Sequence, residues 1–209
     1  MEQIDLFITK LAARKSSERV FNPYENPKLA ENLNKYLSFM LENSGKRILL
    51  VGEAPGYKGC RLTGIPFSSG AVIRETPLGL FKKIGKDIAI KKIESENTAK
   101  IVWEFLDGKR HYPLFWNSFP FHPHPKGNPE KNRAPTREEI REGMEYLKEL
   151  MEIFEPKIIA GVGRAGEHCS SQAFPYRKIT YIRHPSYGGK TDFLAGMKKL
   201  FERKINESL

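Results

Sequence analysis

The stretch Ile48-Leu49-Leu50-Val51-Gly52-Glu53-Ala54-Pro55-Gly56 decides how this chain is read. Its first four residues are a short, continuous apolar run, the pattern of a strand covered on both faces, and a Gly/Pro loop follows at once. We place that strand over 46–51. Near the C-terminus a later strand, 178–182, is followed by Arg183 and the polar loop His184-Pro185-Ser186. Loops at the carboxyl ends of strands are where open α/β sheets build a ligand crevice.

Working outward, helical spacing predicts helices over 3–15 and 28–43. In the second of these Leu29, Leu33, Tyr36, Leu37 and Met40 recur on one face, and Asn43-Ser44-Gly45 supplies the stop. Residues 70–84 read as a helix broken at Pro77, and 91–109 is charged without a clear element. The aromatic run 112–119 (YPLFWNSF) is a second strand. Residues 120–135 hold five prolines and read as an irregular connection. Thr136 with Glu139 forms a capping box that opens a long helix, its apolar face made by Ile140, Met144, Leu147, Leu150, Met151 and Phe154. A third strand over 157–160, a short helix over 164–171, the fourth strand and a closing helix over 191–204 complete the chain. Strands separated by helices imply crossover units. The expected fold is therefore α/β: a single three-layer α/β/α domain over 1–209 around a four-stranded, mainly parallel sheet, with 1–45 as a helical segment packed on it.

The chain has 209 residues, 39% hydrophobic and 29% charged, and no apolar run approaches the roughly 20 residues that span a bilayer. Acidic residues precede a short amphipathic stretch at the N-terminus, the reverse of a signal peptide, so a cytoplasmic monomer is the expectation. Two cysteines are too few for a disulfide framework, a four-cysteine zinc site or a cysteine-ligated cluster. No cofactor and no metal are expected. With 35 basic against 25 acidic side chains the net charge is +10, which attracts a polyanion but does not identify one.

Gly161-Val162-Gly163-Arg164-Ala165-Gly166 matches the dinucleotide-binding pattern between a strand and a helix. It lies late in the chain, and the next strand leads into Arg183-His184 where an acidic ribose contact belongs, so the glycines read as close helix-on-strand packing. His122 and His124 alternate in the proline-rich connection without a carboxylate partner, which is weak evidence for a metal; the alternative is that one of them lines the pocket, because the connection leaves directly from Asn117.

Three separated elements carry a resemblance: Gly52-Glu53-Ala54-Pro55-Gly56 with Gly64-Ile65-Pro66-Phe67 downstream, Asn117 in the second strand, and His184-Pro185-Ser186. Together, over residues 46 to the C-terminal helix, they resemble the uracil-DNA glycosylase superfamily. The resemblance implies a crevice, lined by Gly52, Ala54, Gly56 and Tyr57, that takes a base flipped from DNA. It implies Phe67 stacked on the base, Asn117 reading its N3–H and O4, and His184 donating to O2 as the glycosidic bond breaks. The alternatives at these positions are a core phenylalanine, a strand-end asparagine bonded to backbone, and a histidine that holds its own loop. Relatives with the same first motif suggest Glu53 as the carboxylate that orients water or stabilises the sugar cation; a Glu53 bonded to loop amides is the rival reading.

This chain departs from better-known relatives at three points. Ala54 stands where strongly active families often carry Asp or Asn, and Gly56 stands where strict uracil enzymes carry the Tyr that excludes the thymine methyl. The four cluster cysteines of the best-known GEAPG relatives are absent. For the DNA backbone the candidates are Ser68, Ser69, Ser186 and Lys190, together with Lys82, Lys83, Lys126 and Arg133. Tyr187 stands where relatives carry a wedge, or else packs beneath its loop. The expected function is a cofactor-free DNA glycosylase that removes uracil or a related deaminated base from DNA. The rivals are a catalytically silent DNA-binding member of the same superfamily and, less favoured, a nucleotide-dependent enzyme using Gly161–Gly166.

Overall fold

The computed structural model describes residues 2–43 and 48–202. Ile4, Phe7, Ile8 and Leu11 recur at helical spacing and form the buried face of α1 (Glu2–Ala13). Beyond it, the side-chain amide of buried Asn22 donates to the carbonyls of Leu11 (2.8 Å) and Arg14 (2.6 Å), turning the chain through the two-residue strand β1 (Val20–Phe21). In α2 (Pro27–Glu42) the Asn26 side chain accepts from the Lys28 N–H, and Pro27 occupies the first turn, where its missing donor has no partner to lose. The expected Ser44-Gly45 stop and the strand start at Lys46 lie outside the described residues.

The apolar run becomes β2 (Ile48–Gly52). There follow α3 (Cys60–Thr63), a π-helical turn over Ala71–Glu75, α4 (Phe81–Ile84) and α5 (Asn97–Leu106). The remaining elements are β3 (Leu114–Asn117), β4 (His122–Pro123), α6 (Arg137–Phe154), β5 (Ile158–Val162), α7 (Gly163–Ala173), β6 (Ile179–Ile182) and α8 (Lys190–Glu202). The four-stranded sheet runs β3-β2-β5-β6 with every pair parallel, the three-layer architecture expected. From β2 the chain steps outward to β3, then back across to β5 and on to β6. Because such crossovers are right-handed, the helices between β2 and β3 lie on one face and α6 and α7 on the other. The ring of Phe105 in α5 meets that of Phe201 in α8 at 5.6 Å, so α8 shares the α5 face. On the outer edge of β3, the Tyr36 hydroxyl of α2 accepts the Phe115 N–H at 2.8 Å and satisfies a donor that an open edge leaves bare.

Over 70–84 the chain is helical on both sides of the break read at Pro77, as a π-helical turn over Ala71–Glu75 and as α4. Arg74 donates to the carbonyls of Gly85 (2.6 Å) and Ile88 (2.5 Å), which curls the segment back on itself. Two segments differ from expectation. Within 91–109 α5 forms, capped by Glu96, whose carboxylate accepts from the N–H groups of Thr98 and Ala99. Its buried Ala99, Val102, Trp103 and Leu106 keep helical spacing, a signal the surrounding charges obscure. The proline-rich connection contains β4, which pairs antiparallel with β1 and ties the N-terminal segment to that loop. The capping box at Thr136 and Glu139 forms as read, and Glu139 also takes both arms of Arg133 at 2.6 and 2.7 Å.

Candidate active site

Register brings the first two motifs together. Gly52 and Asn117 are paired neighbours at the carboxyl ends of β2 and β3. Past them, the Ser118 N–H and hydroxyl both donate to the Gly52 carbonyl (2.8 and 2.7 Å), and the Phe119 N–H donates to the Glu53 carbonyl (3.0 Å). Farther along, His122 and Asn132 from the 120–135 connection hold the rest of the loop. The Nδ1 of His122 lies 2.7 Å from the Pro55 carbonyl and its Nε2 3.0 Å from that of Pro129, while Asn132 accepts the Tyr57 N–H at 3.0 Å. Burial pushes the His122 imidazole below its ordinary pKa, and hydrogen bonding to the two carbonyls pulls the other way. Of these, sequence singled out only His122, as one of two histidines that could line the pocket, and neither Ser118 nor Asn132 was a candidate. Such contacts between distant segments leave no periodic trace.

The absence of a side chain at Gly52 lets two groups converge over the strand end. A Cβ there would stand 2.5 Å from Cζ of Phe67 and 3.0 Å from Oδ1 of Asn117. Phe67 is held in the left-handed region at φ 54°, its carbonyl accepts the Trp103 indole N–H at 2.8 Å, and its ring lies 5.0 Å from that of Phe115. This partly exposed ring forms one wall. Asn117 is only 4% exposed, yet its side-chain amide has no hydrogen-bond partner among the described residues. The strand-end backbone bonds of the alternative reading are not made, and the amide atoms are not among the fully buried unpartnered ones, so solvent reaches them. Around them, Ala54 is half-buried against the core, and a Cβ on Gly56 would meet nothing within 4 Å. Tyr57 is half-buried, with the Lys58 ammonium 5.6 Å from its ring centre.

Glu53 projects from the end of β2. Its carboxylate has no hydrogen bond or ion pair among the described residues, and desolvation raises its pKa from the ordinary carboxylate value. The loop amides therefore do not hold it.

His184 follows β6, two strands across from β2. Its Nδ1 accepts the Ser186 N–H at 3.2 Å and lies 2.6 Å from the Ser186 hydroxyl. A nitrogen that accepts a backbone N–H carries no proton, so the neutral ring keeps its hydrogen on Nε2. Desolvation, with Arg183 beside it, holds the imidazole below its ordinary pKa and hence neutral at pH 7. A neutral donor is thereby fixed in tautomer. Ser186 is half-buried and occupied in this task. Tyr187, at φ 51°, is 99% exposed and does not pack beneath its loop.

Several expected phosphate contacts are engaged elsewhere. Ser68 and Ser69 are buried, the Ser68 hydroxyl lying 2.7 Å from that of Thr63 and donating to the Ile65 carbonyl. Arg133 is committed to Glu139, Lys82 to Asp107 (2.7 Å) and Lys126 to Glu18 (2.7 Å), and Lys190 lies 3.9 Å from Glu104. Lys83 sits over the Phe39 ring near the end of α2, the end of the molecule from which β2 begins. The glycine pattern is packing: a Cβ on Gly166 would strike the Val51 carbonyl at 1.9 Å, and one on Gly163 would lie 3.3 Å from the His184 Cβ. Among the described residues no group of three or more His, Cys, Asp and Glu side chains could hold a metal ion.

A wild-type SMUG2 crystal structure from Pedobacter heparinus superposes with a TM-score of 0.67, covering 96% of this chain and 97% of that one at 16% identity, a likeness of fold. No curated protein matches the chain in sequence. The family model described as the uracil DNA glycosylase superfamily matches residues 39–209, which include the paired Gly52 and Asn117, Phe67 and the His184 loop. The chain belongs to the uracil DNA glycosylase superfamily.

Proposed function

We propose that this chain is a monofunctional DNA glycosylase that removes uracil or a related deaminated base from DNA and leaves an abasic site, a base-excision repair step. The observation that carries this reading is the unpaired side-chain amide of Asn117, a residue only 4% exposed, beside the Phe67 ring. An amide offers one acceptor and one donor edge, the complement of the N3–H and O4 of uracil, and the neighbouring ring offers a stacking surface. As the C1′–N1 bond lengthens, negative charge develops on the base and the His184 Nε2–H donates to O2. The Glu53 carboxylate faces the cationic sugar and orients the water whose oxygen bonds to C1′. Its raised basicity suits it to take the proton that water releases, and the departing base anion gains its proton from solvent. The open space beside Gly56 supports acceptance of bases other than uracil.

The direct test is base release from DNA carrying uracil, hypoxanthine or xanthine, in single strands and in duplexes. Release of the free base is expected, and His184→Ala is expected to lower single-turnover release by about 10²–10³-fold while DNA affinity changes little. Folded protein that releases nothing from the whole panel refutes the reading. Ala54 favours one rival, a silent member that binds damaged DNA through the same crevice. Tight, salt-dependent binding without release identifies it.

A further inference from the structure

We propose that the loop Lys91-Lys92-Ile93 is a second duplex-probing element: Ile93 presses into the helix beside the flipped nucleotide while Lys91 meets a phosphate. The inference rests on the glycosylase reading. Among the described residues the exposed large apolar side chains are Leu6, Ile93, Tyr176 and Tyr187. Leu6 lies on α1 and Tyr176 in the turn before β6, at the opposite end of the strands from the crevice. Ile93 and Tyr187 alone stand on loops that form its walls.

The Ile93 loop is fastened directly to the Phe67 wall. A Cβ on Gly70 would lie 2.8 Å from the Lys92 carbonyl oxygen and 2.9 Å from the Ile93 Cα, and the Ala71 N–H donates to the Glu94 carbonyl at 3.1 Å. Glu94 pairs with Lys92 at 2.7 Å and approaches Lys58 of the first motif loop at 4.0 Å. Two residues on, Glu96 caps α5, so the loop is held on both sides of Ile93. Ile93 itself is left 51% exposed, preceded by the exposed Lys91 and Lys92 and followed by Glu94, which pairs with Lys92. A firmly mounted apolar side chain with the Lys91 cation on one side of it fits an apolar step bordered by a phosphate. Duplex DNA offers that surface beside the crevice, where a base has left the stack. Tyr187 rises from the His184 loop, two strands away, so the two protrusions press on the duplex from different walls. Single-stranded DNA has no stacked partner for Ile93 to displace, and the loop therefore raises activity on duplex relative to single strands.

The experiment compares base release from duplex and single-stranded substrates by the full chain, Ile93→Ser and, as a remote control, Leu6→Ser. The ratio of duplex to single-strand release is expected to fall about tenfold in Ile93→Ser, equivalent to about 1.4 kcal/mol, and to hold in Leu6→Ser. An unchanged ratio in Ile93→Ser overturns the proposal. A second arm needs no catalysis: a duplex with a tetrahydrofuran abasic analogue next to 2-aminopurine brightens as the protein unstacks the probe. Ile93→Ser is expected to lose at least half of that rise, and full brightening refutes the role. Absence of release from every substrate refutes the glycosylase reading alone, because the fluorescence arm still decides on Ile93.

Discussion

Replacing Gly52 by Ala tests whether the convergence of Phe67 and Asn117 governs activity. The new methyl would stand 2.5 Å from Cζ and 2.8 Å from Cε2 of Phe67, and 3.0 Å from Oδ1 of Asn117, where ordinary contact begins at 3.4 Å. The ring must therefore retreat by about 1 Å. It cannot move inward, because Phe115, fully buried, lies behind it with ring centres 5.0 Å apart. Nor can the main chain follow easily, since the Trp103 indole holds the Phe67 carbonyl at 2.8 Å. The free direction is outward, into the space where a base would stack. A displacement of that size at a positioning group costs on the order of 10²-fold in rate, or about 2.7 kcal/mol of transition-state stabilisation. Stability should fall by only about 1 kcal/mol, the low end for an added methyl, because the ring relaxes toward solvent. Single-turnover release and the urea midpoint measure the two separately. In a Phe67→Ala background the clash with the ring disappears and only the 3.0 Å approach to Asn117 Oδ1 remains, so adding Gly52→Ala should cost far less than in the parent. Release within threefold of the parent, or an equal loss in both backgrounds, refutes the reasoning.

Thr136→Ala removes one half of the capping box while Glu139 keeps Arg133. It should destabilise the protein by about 1 kcal/mol, read as a lower urea midpoint, and an unchanged midpoint counts against the cap. The depressed His184 imidazole makes stability depend on pH. Above about pH 7 the ring is neutral both folded and unfolded and contributes nothing. As pH falls, the unfolded chain takes up the proton first, near pH 6.5, and stability drops until the folded-state pKa is passed. His122 acts in the same direction, and the raised Glu53 opposes both only in the more acidic carboxylate range. A His184→Asn variant should show a shallower loss of urea midpoint between pH 7.5 and pH 5, and a slope identical to the parent's contradicts the assignment.

Much of the fold was legible because it rests on local signals. The Thr136 cap, the apolar spacing of α2 and α6, and the apolar runs of β2 and β5 are properties of neighbouring residues. Less legible was α5, where Ala99, Val102, Trp103 and Leu106 keep their spacing among charges that mask it. In 70–84 the break at Pro77 was legible, but the fold-back was not, because it depends on Arg74 reaching carbonyls 11 to 14 residues away. Serine at 68 and 69 suggested phosphate contacts by composition, and only packing revealed that both are internal.

By itself the sequence determined the alternation of strands and helices, and hence a parallel sheet with its crevice at the strand ends, together with the residue types that carry the resemblance. Those follow from the apolar period and turn chemistry of short segments. Tertiary structure alone decided which of those residues are available for chemistry. The pairing of Gly52 with Asn117, the unpaired Asn117 amide, the proton on His184 Nε2 and the unclaimed Glu53 carboxylate all depend on partners. Each of those partners is made or withheld by chain segments far away in sequence, and burial decides what an unmade bond costs.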